Sequence, residues 1–201
     1  MTIDKENLIG SILDSISRID YIKPEEIPNI ALYMDQVTTF MDAHLESSKR
    51  YENDKILTKT MINNYTKNHL LPPSDKKKYS SEHILLLIFI YYFKGFLSIN
   101  DIQTLLNPLT DKYFSGQEDL SLTDIYNEAF SMEKEQIEIL KEDIKKKYER
   151  SSMTFQGVSG EERDFLQLFS FICLLSFDVY LKKQIIENLI DLLPSPLKSK
   201  K

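Results

Sequence analysis

Turn-forming residues are scarce in this chain: five glycines and seven prolines are spread over 201 residues. A sandwich or barrel of many short strands needs a turn about every ten residues, built largely from those residue types. The shortage therefore argues against β-rich folds and predicts an all-α architecture. Hydrophobic residues make up 42% of the chain, enough for one ordinary core or two small ones.

The apolar spacing divides the chain into helices. Leu8, Ile9, Ile12, Ile16 and Ile19 recur at three and four residues and predict an amphipathic helix over Ile3–Tyr21. Pro24 and Pro28 make KPEEIP an extended linker. A second helix is expected over Leu32–Leu45 and a polar loop over Glu46–Lys55. Thr58 is placed to cap a short helix, Lys59–Asn68, with Ile62 and Tyr65 or Thr66 inward, and Pro72-Pro73 ends that element. Ser74–Tyr79 reads as a compact basic loop or hairpin. Ser80 or Ser81 caps an apolar helix, Glu82–Gly95, and Ser98 with Asp101 forms a capping pair for Ile99–Leu106. Beyond Asn107-Pro108, Ser121 caps one long helix, Leu122–Tyr148. Residues 151–160 read as a flexible connection, Glu161–Leu193 as one or two helices broken near Asp178–Lys183, and PSPLKSKK as a frayed tail.

Chemistry-bearing groups are few. Cys173 is the single cysteine, so no disulfide framework or thiolate zinc site is expected. His44, His69 and His83 have no spacing that aims two imidazoles at one metal. Phosphate-binding glycine loops and the GxSxG elbow are absent, so the expectation is a non-enzyme with no cofactor and no metal. Glu161, Glu162 and Asp164 read as acids at a helix start. The opening MTIDKENLIGSILD has no basic region before an apolar run, so no signal peptide is expected. Ile84–Phe93 is short of the roughly 20 residues a span needs, and Phe165–Leu181 carries Gln167, Ser170, Ser176 and Asp178. Both read as buried helices of a cytoplasmic protein with no membrane partner, and Cys173 as an inert core thiol.

Charge is unevenly placed. Over residues 55–80, six lysines face one aspartate, a local charge of +5; the whole chain carries −6, so the remainder carries −11. A concentrated basic strip on an acidic protein suits a local polyanion contact, although adjacent lysines also make an ordinary solvated loop. The helix beside the strip adds groups that reach phosphates or base edges: Thr60, Asn63, Asn64 and Lys67 on one face, with Lys59 adjacent. A helix preceded by another helix and followed by a basic hairpin describes a winged helix-turn-helix.

The run LTKTMINNYTKNHLLPP…KKYSSEHILLLIFIYYFKGFLSINDIQTLL, residues 57–106, resembles the DNA-binding domain of the MerR family of bacterial regulators. Asn63-Asn64-Tyr65 stands where that family has Arg-Tyr-Tyr, Leu70-Leu71-Pro72-Pro73 matches directly, and His69 replaces its glycine. Tyr79-Ser80 lies at the end of the wing, Gly95-Phe96 at the following turn and Leu105-Leu106 at the close. Through LYMDQVT, LTKTMINNY and KKYSSEHI the chain also resembles a bacterial group catalogued as domain of unknown function 1836.

These resemblances imply a MerR-like winged-helix domain over residues 24–108, after an N-terminal helix (1–23) and before a C-terminal helical region for dimerisation or effector binding (109–201). The implied function is sequence-specific transcriptional regulation on double-stranded DNA. Lys59, Thr60, Asn63, Asn64, Tyr65 and Lys67 are expected at the major groove, with Lys76, Lys77, Lys78 and Tyr79 at the backbone. A homodimer is implied, through helix 122–148 or the phenylalanine-rich helix 165–181. The latter has two further readings, the centre of a bundle or the lining of a pocket for a small apolar effector. The alternative from another class is a protein–protein adaptor that keeps the winged shape without DNA binding.

Overall fold

The computed structural model describes residues 5–16, 21–115 and 119–193, with the backbone alone for residues 5–8 and 133–135. The described residues form eight helices and one two-stranded sheet: α1 (Lys5–Ile16), β1 (Leu32–Tyr33), α2 (Met34–His44), α3 (Lys59–Lys67), β2 (Lys78–Tyr79), α4 (Ser81–Phe93), α5 (Ile99–Tyr113), α6 (Leu122–Ser131), α7 (Glu133–Ser152) and α8 (Gly160–Asp191). The predicted all-α class holds, with a minimal sheet. Residues 3, 4 and 17–20 of the expected first helix, and the whole PSPLKSKK tail, lie outside the described residues.

The chain forms two compact units. The first runs from Tyr21 to Phe130 and takes in the last turns of α8 from Ile186. Its centre is α4, whose residues His83 to Ile90 are all buried, an all-round burial that matches its unbroken apolar run. Around α4 pack Val37 and Met41 of α2, Ile62 of α3, Ile102 and Leu106 of α5, and Leu122 and Tyr126 of α6. The core therefore continues past Pro108, where the sequence suggested a boundary. Tyr126 is fully buried, and its hydroxyl donates to the Ile22 carbonyl at 2.7 Å.

Several local expectations change in this unit. The KPEEIP linker contains a 3-10 turn, Pro24–Glu26, because Lys23 N–H donates to Glu26 Oε2 (2.7 Å) and the flanking Ile22 and Ile27 are buried. The Glu46–Lys55 loop opens with another 3-10 turn, Glu46–Ser48. Lys94 Nζ reaches back to the Ile56 carbonyl (2.6 Å) and fastens the end of this connection. The pair Ser98/Asp101 caps α5 as expected, at 3.2 Å in each direction, but the helix continues through Pro108 to Tyr113. A proline inside a helix forfeits one hydrogen bond; buried Leu106, with Leu109 and Tyr113 packed on the same core, holds the helix across the defect.

The second unit comprises α1, α7 and α8 as far as Ile185. Its core is small, built on Ile9, Ile144 and Phe171 with Ile12, Tyr148, Leu168 and Leu175 against them. The long helix expected over 122–148 is two helices that break at Met132, which is 62% exposed. They belong to different units, so a continuous stripe in sequence serves two separate cores. The connection after α7 is tied down: Gln167 Nε2 donates to the carbonyls of Ser152 (2.7 Å) and Thr154 (2.9 Å). α8 is unbroken across Asp178–Lys183, and Asp178 pairs with Lys147 of α7. Asp143 and Asp178 together hold the Lys147 ammonium above its ordinary pKa.

Burial of the phenylalanine-rich helix does not hold. Phe165 (65%), Phe169 (53%) and Phe177 (59%) are exposed, and so is Cys173, which is not a core thiol. α8 is also long and apolar enough to cross a membrane, with a mean hydropathy of 1.6 over its most apolar stretch, of which only 11% is buried.

Candidate nucleic-acid interface

α3 is set by its two caps. Thr58 Oγ1 accepts the Met61 N–H (3.2 Å), as the sequence predicts. At the other end His69 takes a left-handed conformation (φ 55°), His69 N–H donates to Thr66 O (3.1 Å) and Leu70 N–H to Tyr65 O (2.8 Å). That is the Schellman arrangement, whose left-handed position favours glycine. Here that position is His69. Between the caps Ile62 and Tyr65 turn inward, while Thr60, Asn63, Asn64 and Lys67 stand exposed along the outer face.

The lysine hairpin is tight. Lys78 N–H donates to Asp75 O (2.8 Å), and Lys76 (φ 47°) and Lys77 (φ 65°) are both left-handed. Two central residues with positive φ define the type I′ hairpin turn, for which Asn-Gly is the favoured pair. Here both places are lysines. The turn leads into β2, which pairs antiparallel with β1 in the register Leu32↔Tyr79 and Tyr33↔Lys78.

Contacts at the start of α2 bring the two pieces to one end of that helix. Lys59 of α3 pairs with Asp35, and the Lys78 ammonium lies 5.1 Å from the centre of the Tyr33 ring. Tyr33 and Asp35 flank the first residue of α2. Neither stood out as a site residue in the sequence; a Tyr-x-Asp start to a helix gives no sign that two lysines will lean on it. Lys67, Lys76 and Lys77 are exposed and make no ion pair among the described residues.

Eight of the ten expected site residues are thus exposed: Lys59, Thr60, Asn63, Asn64, Lys67, Lys76, Lys77 and Lys78. Tyr65 (6% exposed) and Tyr79 (5%) are buried. Tyr65 faces the same way as Ile62 and its phenol is pushed up by burial. Tyr79 alternates inward from Lys78 along β2 and meets the His83 ring edge-on at 5.4 Å.

His83 supports the base of the hairpin. Its Nδ1 accepts the Ser80 N–H (3.0 Å), so the proton sits on Nε2, which faces Pro73 O at 3.4 Å. Burial lowers its pKa against the opposing effect of the Pro73 and Pro72 carbonyls. Among the described residues, no group of three or more His, Cys, Asp or Glu side chains is arranged to hold a metal ion. In the second unit, a groove of about 530 Å³ beside α8 is lined by Arg150, Thr154, Phe155, Phe169, Cys173 and Phe177, among others.

A family model described as a domain of unknown function, DUF1836, matches residues 22–129, more than half of the chain. The chain belongs to that family. The match covers the Tyr21–Phe130 part of the first unit almost end to end, with α3, the lysine hairpin and the start of α2 inside it. No curated protein and no solved structure matches the chain.

Proposed function

We propose that this protein is a cytoplasmic, sequence-specific DNA-binding regulator whose first unit works as a MerR-like winged helix. In this reading α3 enters the major groove, with Asn63, Asn64 and Thr60 at base edges and Lys59 and Lys67 on the flanks. The turn Lys76–Lys78 follows the adjacent phosphates. The observation that carries the reading is the hairpin tip. Two lysines occupy left-handed positions that Asn-Gly would fill without strain, beside an exposed polar helix face and tied to the same end of α2. Strain kept at an exposed, charged turn marks a place where the side chain serves something other than folding.

A second reading, a protein–protein adaptor on the same scaffold, is favoured by one contact: Asp35 neutralises Lys59 at the start of the helix meant for DNA.

The deciding experiment recovers sheared genomic DNA of the source organism on the immobilised chain at moderate salt and sequences it, with a Lys76→Gln/Lys77→Gln/Lys78→Gln variant alongside. Enrichment of a few intergenic fragments, lost in the variant, is expected. Uniform recovery or none, unchanged in the variant, contradicts the DNA reading in favour of the adaptor. Asn63→Ala should relax preference at one or two base pairs, at a cost of about 1–3 kcal/mol.

A further inference from the structure

The groove of about 530 Å³ beside α8 lies wholly inside the second unit, between the end of α7, the connection that follows it and the middle of α8. Phe169, Cys173 and Phe177 line it at four-residue steps, so they share one face of α8 and span roughly 12 Å along it at 1.5 Å per residue. The small thiol side chain between two rings makes a notch. The wall across from it is held in place. Gln167, only 7% exposed, donates from α8 to the Ser152 and Thr154 carbonyls and so fastens the connection to the helix. Phe155 comes next, left-handed at φ 54°, with Val158 N–H donating to Phe155 O (3.0 Å) to close its turn. A bulky side chain is costly in that conformation and glycine is not. The ring kept there lines the groove.

The polar groups of the groove are accounted for one by one. The hydroxyls of Ser151, Thr154 and Ser170 donate to the main-chain carbonyls of Tyr148 (2.8 Å), Ser151 (2.6 Å) and Leu166 (3.0 Å). The donor left over is the guanidinium of Arg150, in the last turn of α7, which is the one formal charge among the lining residues. Arg150 is exposed and makes no ion pair among the described residues. Asp178, the acid next to Phe177, is already bound to Lys147.

We propose that this groove binds an apolar monocarboxylate, its carboxylate on Arg150 and its hydrocarbon part along the notch between Phe169 and Phe177. A guanidinium presents its donors as a fixed fork that matches a carboxylate with two parallel hydrogen bonds. One unpaired cation balances one anionic charge. A neutral hydrocarbon would cover the guanidinium with apolar surface and leave it without a counter-charge, and a cationic ligand would be repelled. The volume falls within the range of small-molecule sites, about 300–1,000 Å³, and apolar walls with a single well-placed polar group are their usual make-up.

The site concerns the second unit alone, and its test uses no nucleic acid, so it can fail independently of the DNA reading. The full chain is titrated with decanoate below its micellar concentration, with decanol and decylammonium as the neutral and cationic counterparts. The readout is the rate at which Cys173 reacts with neutral iodoacetamide. Cys173 is the only cysteine and lines the notch, so the rate reports this groove. Decanoate should slow the reaction to a plateau, and the other two should need at least about tenfold higher concentration, the worth of one charge-assisted hydrogen bond. Arg150→Gln should bring decanoate to the level of decanol, while Arg150→Lys should keep part of the preference. Cys173→Phe fills the notch and should abolish decanoate binding by calorimetry at unchanged helical content. No protection of the thiol by decanoate, equal binding of the three amphiphiles, or an undiminished preference in Arg150→Gln overturns the proposal. So does a thiol already shielded without ligand, which would mean that a protein surface covers the groove.

Discussion

Replacing Lys77 by glycine should make this protein more stable while weakening the DNA binding proposed for it. Lys77 sits at φ 65° and its neighbour Lys76 at φ 47°, closed by a 2.8 Å bond from Lys78 N–H to Asp75 O. A side chain in the left-handed region costs roughly 1–2 kcal/mol, because Cβ crowds the following carbonyl. Glycine removes that cost but gives back about 0.5–1 kcal/mol through its greater freedom in the unfolded chain. The net expectation for Lys77→Gly is a gain of about 0.5–1 kcal/mol, read from the urea midpoint at constant slope. Lys77→Ala keeps the strained backbone and removes the same charge, so it should leave stability nearly unchanged. On DNA the two variants should behave alike, each lowering the salt slope by about one contact. If Lys77→Gly is no more stable than Lys77→Ala, the turn does not carry the strain described here, and the argument from strain to function fails with it.

Other perturbations test single links. Thr58→Ala removes the acceptor of the Met61 N–H and should cost about 1 kcal/mol in denaturant titration. Tyr126→Phe leaves the buried Ile22 carbonyl without its hydroxyl donor and should cost about 1–3 kcal/mol, with the fold otherwise retained by circular dichroism. Because burial lowers the His83 pKa, the unfolded chain binds this proton more tightly than the folded one. The neutral ring's contribution is therefore full above the ordinary value of about 6.5 and is lost as pH falls below it towards the depressed folded value. Denaturation of the parent and of His83→Gln across that window should show the extra slope in the parent alone.

Local structure is legible in the sequence where one residue decides one bond. Thr58, the Ser98/Asp101 pair and Ser121 with Asp124 all cap as their chemistry demands. The apolar run of α4 is buried all round because nothing along it prefers water. Sequence pattern and structure part where distant contacts decide. Pro108 should have ended α5, but core contacts from Leu106, Leu109 and Tyr113 outweigh one missing hydrogen bond. The stripe over 122–148 looked continuous because periodicity cannot tell which of two cores a helix serves.

At the candidate site the exposed residues of α3 were legible from a face pattern of period 3.6, and the lysine turn from its charge. Tyr65 and Tyr79 depart from the exposed pattern because a tyrosine's hydroxyl suits a contact while its ring favours burial, and here both rings are buried. The exposure of α8 is illegible for a similar reason: an apolar helix reads as core, and only three-dimensional packing shows that Phe165, Phe169 and Phe177 are left exposed.

The claim that the lysine turn and α3 form a DNA-binding surface is tested most directly by the affinity of the chain for duplex DNA across a salt series, measured with the parent and with the Lys76→Gln/Lys77→Gln/Lys78→Gln variant. The parent's log affinity should fall linearly with log salt, and the variant's slope should be shallower by about three contacts, with weaker binding to every sequence. Identical slopes in the two proteins, or no binding of duplex by either at low salt, would contradict the account.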